Sequence, residues 1–194
     1  MYTEMVTAAA IIRGDAVRLL RYDESEHPIA LQLGGNDPAM MTQAARRAEE
    51  FGYDEININI GCPSDRVISG QFGACLMRIP EIVAACYRSM RDTVDVPVTI
   101  KKRLGIDDHD SYEFLENFVE TLSAAGCSKF VVHARIAILG GMSPKDNRSV
   151  PPLNYERVFR LKREHPELEI VLNGGVKEMG QIDELLQQMD GVMI

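Results

Sequence analysis

The chain has 194 residues, 45% of them hydrophobic and 26% charged, and a formal net charge of −8. This composition is ordinary for one globular domain with a substantial core. No apolar run approaches the roughly 20 residues that cross a bilayer, and the first residues do not resemble a targeting signal. We therefore expect a cytoplasmic protein without a membrane partner. The acidic charge argues weakly against nucleic acid, but it does not exclude a local basic patch.

Strand and helix patterns alternate along the whole chain. Strands are predicted at residues 1–6, 29–33, 55–60, 96–100, 130–132 and 170–172, and a seventh begins at Gly191. Residues 8–20 are predicted to be helical or mixed, and helices are predicted from Pro38 to about residue 51, from Pro80 to about residue 90, and over 110–125, 155–165 and 178–189. Asp37 before Pro38 is a favoured helix start, and Gly126 is a typical helix end.

This alternation predicts an α/β fold with a parallel sheet and helical crossovers. The strands are continuous apolar runs, as in sheets covered on both faces. Polar residues at the end of each strand favour a (β/α)8 TIM barrel over an open sheet, since the carboxyl ends of barrel strands form the active face. No GxGxxG follows the first strand, which counts against a Rossmann domain. Seven strands are one short of the barrel, and such barrels usually need about 250 residues.

The four cysteines, Cys62, Cys75, Cys86 and Cys127, stand apart in the sequence. Without a CxxC pair or His-rich spacing, neither a metal site nor a disulfide framework is expected. The cysteines therefore fit a reducing compartment.

The third predicted strand carries the most informative stretch of the sequence. Its alternation places Asn57 and Asn59 on one face and the isoleucines between them on the other. Gly61 ends the strand, Cys62 lies in the turn, and Pro63 prevents further pairing. An amide and a thiol three residues apart can both face a ligand. Alternatively, Asn59 closes a turn and Cys62 is a small buried hydrophobic residue.

Other strands also end in polar residues. The polar residues at the ends of these apolar strands are Gln32, Lys101 with Arg103, His133 with Arg135, and the turn Asn173-Gly174-Gly175. Each group also has a purely structural interpretation. Gln32 can satisfy backbone groups, the basic residues can be solvated, His133 can be structural, and Asn173-Gly174-Gly175 can be only a tight turn. Their coincidence on one predicted face favours a site. The set suits a flavin, because an amide matches the donors and acceptors of the ring edge, a lysine stabilises negative charge, and glycine amides suit a phosphate.

The most distinctive segments of the sequence are residues 59–67 (NIGCPSDRV) and 73–77 (GACLM), with residues 32–35, 98–108, 132–135, 143–148 (SPKDNR) and 173–175. Together and in this order they resemble the tRNA-dihydrouridine synthases, specifically the A-type enzymes that act on the D-loop. The first motif alone also resembles other flavin barrels, such as dihydropyrimidine and dihydroorotate dehydrogenases. With GACLM and SPKDNR the resemblance becomes specific, and it covers essentially the whole chain.

The resemblance implies an oxidoreductase that converts uridine in tRNA to 5,6-dihydrouridine. Cys62 would deliver a proton to C5 while reduced FMN delivers hydride to C6, NADPH would reduce the FMN, and Asn59 would orient the uracil. Gln32, Lys101 and His133 would hold the flavin, with Asn173, Gly174 and Gly175 near its phosphate. Candidates for tRNA contact are Arg103, Arg135, Lys145 and Arg148. We choose Cys62 over Cys75 because it lies three residues from Asn59 at a strand end.

The sequence also departs from the family pattern. An Ala-Pro-Met segment on the first strand, a Gly-Arg after the last strand and a C-terminal helical domain are absent, and Ile136 and Ile138 replace a Lys and a Trp. We therefore expect residues 1–194 to be a partial TIM-barrel, FMN-binding catalytic domain that lacks the first strand. Open sheet edges lead us to expect that this chain alone binds FMN poorly and aggregates.

Two alternatives remain open. The chain can be another FMN-barrel oxidoreductase acting on a free pyrimidine, although residues 143–148 and the basic strand ends favour tRNA. It can also be an inactive fragment that folds badly or only binds RNA. The sequence contains no signal for an oligomeric state.

Overall fold

The computed structural model describes all residues 1–194 and contains one seven-stranded sheet. Its strands are β1 (Val6–Thr7), β2 (Ala30–Gly34), β3 (Glu55–Ile60), β4 (Val98–Arg103), β5 (Lys129–His133), β6 (Glu169–Asn173) and β7 (Gly191–Met193). The helices are α1 (Ala8–Arg13), α2 (Ala16–Leu20), α3 (Pro38–Glu50), α4 (Asp65–Ser69), α5 (Pro80–Arg91), α6 (Tyr112–Ala124), α7 (Tyr155–Glu164) and α8 (Met179–Leu185). Short 3-10 helices span Glu24–Glu26, Gly73–Arg78 and Asp146–Arg148.

The strands lie in the sheet in the order of the chain. Every neighbouring pair from β1 to β7 is parallel. A doubly wound sheet would reverse its order at a switch point, whereas sequential parallel strands are the arrangement of a TIM barrel. The predicted fold class is confirmed as an incomplete (β/α)8 barrel, in which β1 and β7 are each paired on one side only.

The two faces of each strand have different chemistry, as β3 shows most clearly. Ile56, Ile58 and Ile60 are buried in the main apolar core, together with residues of the surrounding helices. Asn57 and Asn59 point to the opposite face, which is the barrel interior, as the alternation predicts. TIM-barrel interiors are usually filled by branched apolar side chains. Here much of the interior is polar, and this polarity places the site.

The ends of the longer helices agree with the sequence. The Asp37 side chain accepts a hydrogen bond from the backbone N–H of Met40, and Pro38 is the first helical residue. Gly126 follows α6 with a φ of +99°, a left-handed conformation that glycine adopts without strain. Cys86 is buried in the core, and burial raises the pKa of its thiol to about 12.

Other boundaries differ from the sequence prediction. The first strand is only two residues long, although Tyr2 forms an isolated parallel bridge to Ala30. β4 begins at Val98 and runs through the basic residues to Arg103, because residues 101–103 pair with β3 and β5 instead of turning into solvent. Helix α4 and the 3-10 helix Gly73–Arg78 lie between residues 60 and 80, where the sequence predicted no helix or strand, and α8 is shorter than predicted. No helix combines the length and apolar character that crossing a membrane requires.

Lys102 is an unusual member of β4. Its side chain is fully buried, its Nζ lies 4.0 Å from the centroid of the Phe118 ring, and this nitrogen has no hydrogen-bond partner. Burial lowers the pKa of Lys102 well below its ordinary value of 10.5. Lys102 therefore loses its proton more readily in the folded protein than in the unfolded chain.

Replacing Lys102 with methionine should stabilise the protein. Lys102→Met removes a buried amine without partners, and we expect the free energy of unfolding at neutral pH to rise by about 1–3 kcal/mol. Because the pKa is lowered in the folded state, the unfolded chain binds more protons, and the wild type gains stability as pH rises toward 10.5. The advantage of methionine should therefore shrink at alkaline pH. Urea unfolding at two pH values measures both effects, and a less stable Lys102→Met would contradict the account.

Candidate active site

The carboxyl ends of the central strands surround a cavity of about 280 Å³. Its polar and charged lining comes from five strands and two loops, and a single lining residue is hydrophobic. The lining residues are Gln32, Asn59, Gly61, Cys62, Pro63, Lys101, Lys102, Arg103, His133, Pro144, Arg148 and Asn173. The cavity lies where a TIM barrel carries its active site.

The structure therefore brings together most of the residues singled out in the sequence. Gln32, Asn59, Cys62, Lys101, His133 and Asn173 all line this cavity, together with Arg103 and Arg148. Gly174 and Gly175 lie directly behind Asn173 outside the lining set, and α8 begins four residues after them. Arg135 and Lys145 are also outside the lining.

Asn59 connects the end of β3 to the loop that carries Cys62. Its Oδ1 accepts hydrogen bonds from the backbone N–H groups of Gly61 and Cys62, at 3.1 and 2.9 Å. Its Nδ2 donates to Oε1 of Gln32 at 2.6 Å. One buried carboxamide thus holds the Cys62 loop and the neighbouring strand in a fixed relation. The interpretation of Asn59 as a turn-closing residue is correct, and the same side chain also lines the cavity.

A second contact holds the Cys62 loop from the other side. The backbone N–H of Ala74 donates to the Cys62 carbonyl at 3.1 Å. Gly73 has a φ of +63° and lies very close to Val67 and Cys62. A Cβ at this position would be 2.4 Å from the Val67 side chain and 2.9 Å from the Cys62 carbonyl oxygen. The segment 73–77 therefore supports the cysteine loop. This explains in physical terms why the two motifs occur together.

The thiol of Cys62 is partly accessible and has one polar neighbour. Its Sγ donates to the hydroxyl of Ser64 at 3.5 Å. Sequence reasoning did not assign Ser64 a role, although its position two residues after the cysteine was the available signal. Cys75, by contrast, is absent from the cavity lining, and burial raises the pKa of its thiol. This geometry supports the choice of Cys62 over Cys75.

Lys101 brings a positive charge into the cavity. Its Nζ donates to Oδ1 of Asn173 at 2.7 Å, and Nδ2 of Asn173 donates to the Met193 carbonyl. Burial, and then the neighbouring Arg103, lower the pKa of Lys101 to about 8. The ammonium is thus still predominantly charged at neutral pH, in an environment where an added negative charge would be favourable.

His133 is neutral in this environment. Burial, followed by the charges of Arg103 and Lys101, lowers its pKa to about 3. Its Nδ1 is buried and has no hydrogen-bond partner within the chain. Gly174 packs against the ring with a φ of +102°, and a Cβ there would lie 2.8 Å from Nε2. The glycine turn therefore makes room for the imidazole, whose unpaired nitrogen is a polar atom available to a ligand.

Arg103 lines the cavity, but its hydrogen bonds are made within the protein. It is 5% exposed, Nε donates to the Gly61 carbonyl at 3.0 Å, and Nη1 donates to the carbonyls of Ile136 and Asn147 at 3.0 and 2.8 Å. Burial lowers its pKa to about 10, which leaves it charged at neutral pH. Arg103 thus ties the Cys62 loop to the segment 136–148. Its predicted contact with RNA stays a prediction.

The other basic candidates differ in exposure. Arg135 is half-buried and donates to the Pro151 carbonyl. Lys145 and Arg148 are exposed on the segment 143–148, and Arg148 reaches the rim of the cavity. Asn147 anchors this segment, because its side chain accepts from the Ile138 N–H and donates to the Ile138 carbonyl. Two free cations therefore flank the cavity on an ordered loop.

Comparison with known proteins agrees with this geometry. A family model described as dihydrouridine synthase matches residues 1–194. The chain belongs to the dihydrouridine synthase family. The family resemblance seen in the sequence is thereby confirmed, and the lining of the cavity contains the family motif around Cys62.

Curated relatives of the chain carry the name tRNA-dihydrouridine(20/20a) synthase. The chain is 58% identical over 194 residues to the one from Pseudomonas syringae pv. tomato, 57% over 195 residues to one from Escherichia coli, and 54% over 194 residues to one from Synechocystis. Each alignment covers all of this chain and 58%, 56% and 58% of the relative, respectively. The chain thus spans somewhat more than half the length of these synthases.

Dihydrouridine synthases are flavin-dependent, and the donor set of the cavity fits a flavin. The unpaired Nδ1 of His133, the ammonium of Lys101 and the carboxamide of Gln32 are the groups that a polar ring edge requires. The cavity volume lies just under the usual range of ligand pockets, about 300–1,000 Å³. These side chains could therefore hold the polar edge of a flavin ring.

The contacts of Arg103 generate a test of its structural role. Arg103→Ala leaves three carbonyls without their donor, and each hydrogen bond from a charged group contributes about 1.5–3 kcal/mol. We expect hydrogen exchange of the segment 136–148 to accelerate by roughly tenfold or more. Mass spectrometry of the exchanged protein measures this. Arg148→Ala, in the same loop but exposed, is the matched control and should leave exchange unchanged. Equal exchange in both variants would contradict the assigned role.

Proposed function

We propose that residues 1–194 form the FMN-binding catalytic domain of an oxidoreductase that reduces uridine in the D-loop of tRNA to 5,6-dihydrouridine. The convergence of the Cys62 thiol with Gln32, Asn59, Lys101 and His133 in one cavity supports this proposal most strongly. The names of the curated relatives specify positions 20 and 20a, and we propose the same positions here. All four cysteines are free thiols, which agrees with a cytoplasmic enzyme.

Three cavity residues are assigned to the cofactor. Gln32, Lys101 and His133 would hold FMN, with Lys101 beside the negative charge of the reduced ring. Asn173, Gly174 and Gly175 would lie near its phosphate side. When bound and reduced by NADPH, FMN supplies the hydride that adds to C6 of the uracil.

Cys62 and Asn59 are assigned to the substrate. The C5–C6 double bond of uracil is reduced by one hydride and one proton, and Cys62 Sγ delivers the proton to C5. The resulting thiolate then takes a proton from solvent. Asn59 orients the uracil and at the same time fixes the backbone of Cys62 through Oδ1. The short loop between them therefore couples substrate orientation to the position of the proton donor.

The exposed cations give the site its preference for RNA. Lys145 and Arg148 flank the cavity on the segment 143–148 and suit phosphate groups of a polynucleotide. Arg135 and Arg103 add positive charge behind them. A free pyrimidine would need no such charges. The proposal therefore favours tRNA over a free base even though the net charge of the chain is −8.

Substitution of the two motif cysteines separates their roles. In Cys62→Ala we expect NADPH to reduce the flavin at the wild-type rate, whereas oxidation of the reduced flavin by unmodified tRNA should slow by about 100-fold or more, the usual contribution of a positioned acid. Cys75→Ala is the matched control and should retain both half-reactions. Stopped-flow flavin absorbance follows each step.

Three results would count against parts of the proposed function. Normal tRNA reduction by Cys62→Ala would remove Cys62 from the chemistry. Reduction of free uracil or uridine at rates equal to those with tRNA would instead favour an oxidoreductase of free pyrimidines. Failure of the wild type to bind FMN or to turn over would favour an inactive fragment.

A further inference from the structure

Five side chains form an unbroken line of hydrogen bonds through the barrel interior, which we name the interior relay. It consists of Glu55, Thr99, Asn57, Gln32 and Asn59. The Thr99 hydroxyl donates to Glu55 at 2.7 Å, Asn57 Nδ2 donates to Thr99 at 2.8 Å, Gln32 Nε2 donates to Asn57 Oδ1 at 3.1 Å, and Asn59 Nδ2 donates to Gln32 Oε1 at 2.6 Å. The relay joins the amino-terminal end of β3 to the Cys62 loop.

Every hydrogen bond of the interior relay points the same way. A carboxylate only accepts, so the single proton of the Thr99 hydroxyl goes to Glu55, and Thr99 must accept from Asn57. The Asn57 oxygen is thereby turned toward Gln32, and the Gln32 oxygen toward Asn59. The Asn59 oxygen is then left facing the N–H groups of Gly61 and Cys62. The donor direction at Glu55 thus determines the orientation of an amide at the opposite end of the barrel.

Glu55 is held as a carboxylate. Burial alone favours its neutral form, but hydrogen bonds from Tyr2, Thr99 and Lys129 outweigh burial and lower the pKa of Glu55. Lys129 Nζ lies 2.9 Å from Oε2, and the Tyr2 hydroxyl donates to Oε1 at 2.5 Å. The terminal acceptor of the interior relay is therefore fixed by its own ionic contacts.

We propose that Thr99 and Glu55 are positioning residues for Cys62, which act by fixing, through the interior relay, the amide of Asn59 that holds the cysteine loop. The effect on catalysis rests on the proposed role of Cys62. The effect on the loop does not, because it follows from the hydrogen bonds of Gly61 and Cys62 alone.

Reversal of the interior relay shows why the direction matters. If Asn57, Gln32 and Asn59 each rotated their amides, the bonds between them could re-form with donors and acceptors exchanged. Asn59 Nδ2 would then face the N–H groups of Gly61 and Cys62, donor against donor. The loop would lose both hydrogen bonds. Asn57 and Thr99 are 0% and 1% exposed, so water has little access to replace a missing partner.

Thr99→Val tests the proposal with Thr99→Ser as the matched control. Valine keeps the shape of threonine but accepts no hydrogen bond, so either Asn57 Nδ2 stays unpaired or the amides reverse. We expect amide hydrogen exchange at Gly61 and Cys62 to accelerate by about tenfold, since an unpaired buried group costs about 1–3 kcal/mol. Serine restores the hydroxyl and should restore slow exchange. The kcat for tRNA reduction should also fall by about tenfold in Thr99→Val but not in Thr99→Ser. The rate of flavin reduction should be unchanged in both variants.

The outcomes separate this proposal from the proposed function. Slow exchange at Gly61 and Cys62 in Thr99→Val, or faster exchange spread evenly over the whole sheet, would overturn the positioning role. If exchange at Gly61 and Cys62 accelerates in Thr99→Val but the wild type does not reduce tRNA, the positioning role is supported and the proposed function is overturned.

A measurement on the wild type guards against a variant that fails to fold. NMR of the 13C,15N-labelled protein identifies the side-chain NH2 group of Asn59 and its neighbours. A coupling across the hydrogen bond from Asn59 Nδ2 to the Gln32 side-chain carbonyl supports the relay direction. Contacts of that NH2 group with the Gly61 and Cys62 amide protons would show the reversed direction and overturn the proposal.

Discussion

The carboxamide of Asn59 is the contact on which the site depends. Its oxygen holds the backbone of Gly61 and Cys62, and its nitrogen is held by Gln32 on the neighbouring strand. A loop after a strand is ordinarily the mobile part of a barrel. Here the loop that carries the thiol is fixed by a buried side chain of the strand itself and, from the other side, by the N–H of Ala74. The thiol therefore occupies a defined position beside the cavity.

The polar interior links this local order to the rest of the barrel. A barrel filled with branched apolar residues is stabilised by packing, whereas buried amides require complete hydrogen bonding to avoid a large desolvation penalty. β3 and β4 meet this requirement with one another, through Asn57, Thr99 and Glu55. Arg103 satisfies buried polar groups of the outer loops, because it donates hydrogen bonds to three of their carbonyls. Polar groups that satisfy one another in this way also specify the geometry of a ligand site.

The sequence predicted the parts of the structure that depend on local periodicity. The two-residue period of β3 placed Asn57 and Asn59 together, and the strand ends predicted which side chains would share the cavity. Contacts between distant segments were not predictable. Basic residues 101–103 have the character of a solvated strand end, but pairing with both neighbours keeps them in β4. Likewise, the sequence suggested that Arg103 contacts RNA and did not indicate that it would donate to carbonyls of two loops. The period-two polar series Glu55, Asn57 and Asn59 was the available signal for the interior relay.

The central claim is that the inward-facing polar side chains bind a flavin, and titration of the purified protein with FMN tests it most directly. Flavin absorbance and fluorescence measure the affinity. Lys101→Met should weaken binding by about tenfold or more, since a hydrogen-bonded charge contributes about 1.5–3 kcal/mol, whereas Lys145→Met, an exposed lysine outside the cavity lining, should bind as the wild type does. Equal affinities in all three proteins would contradict the account.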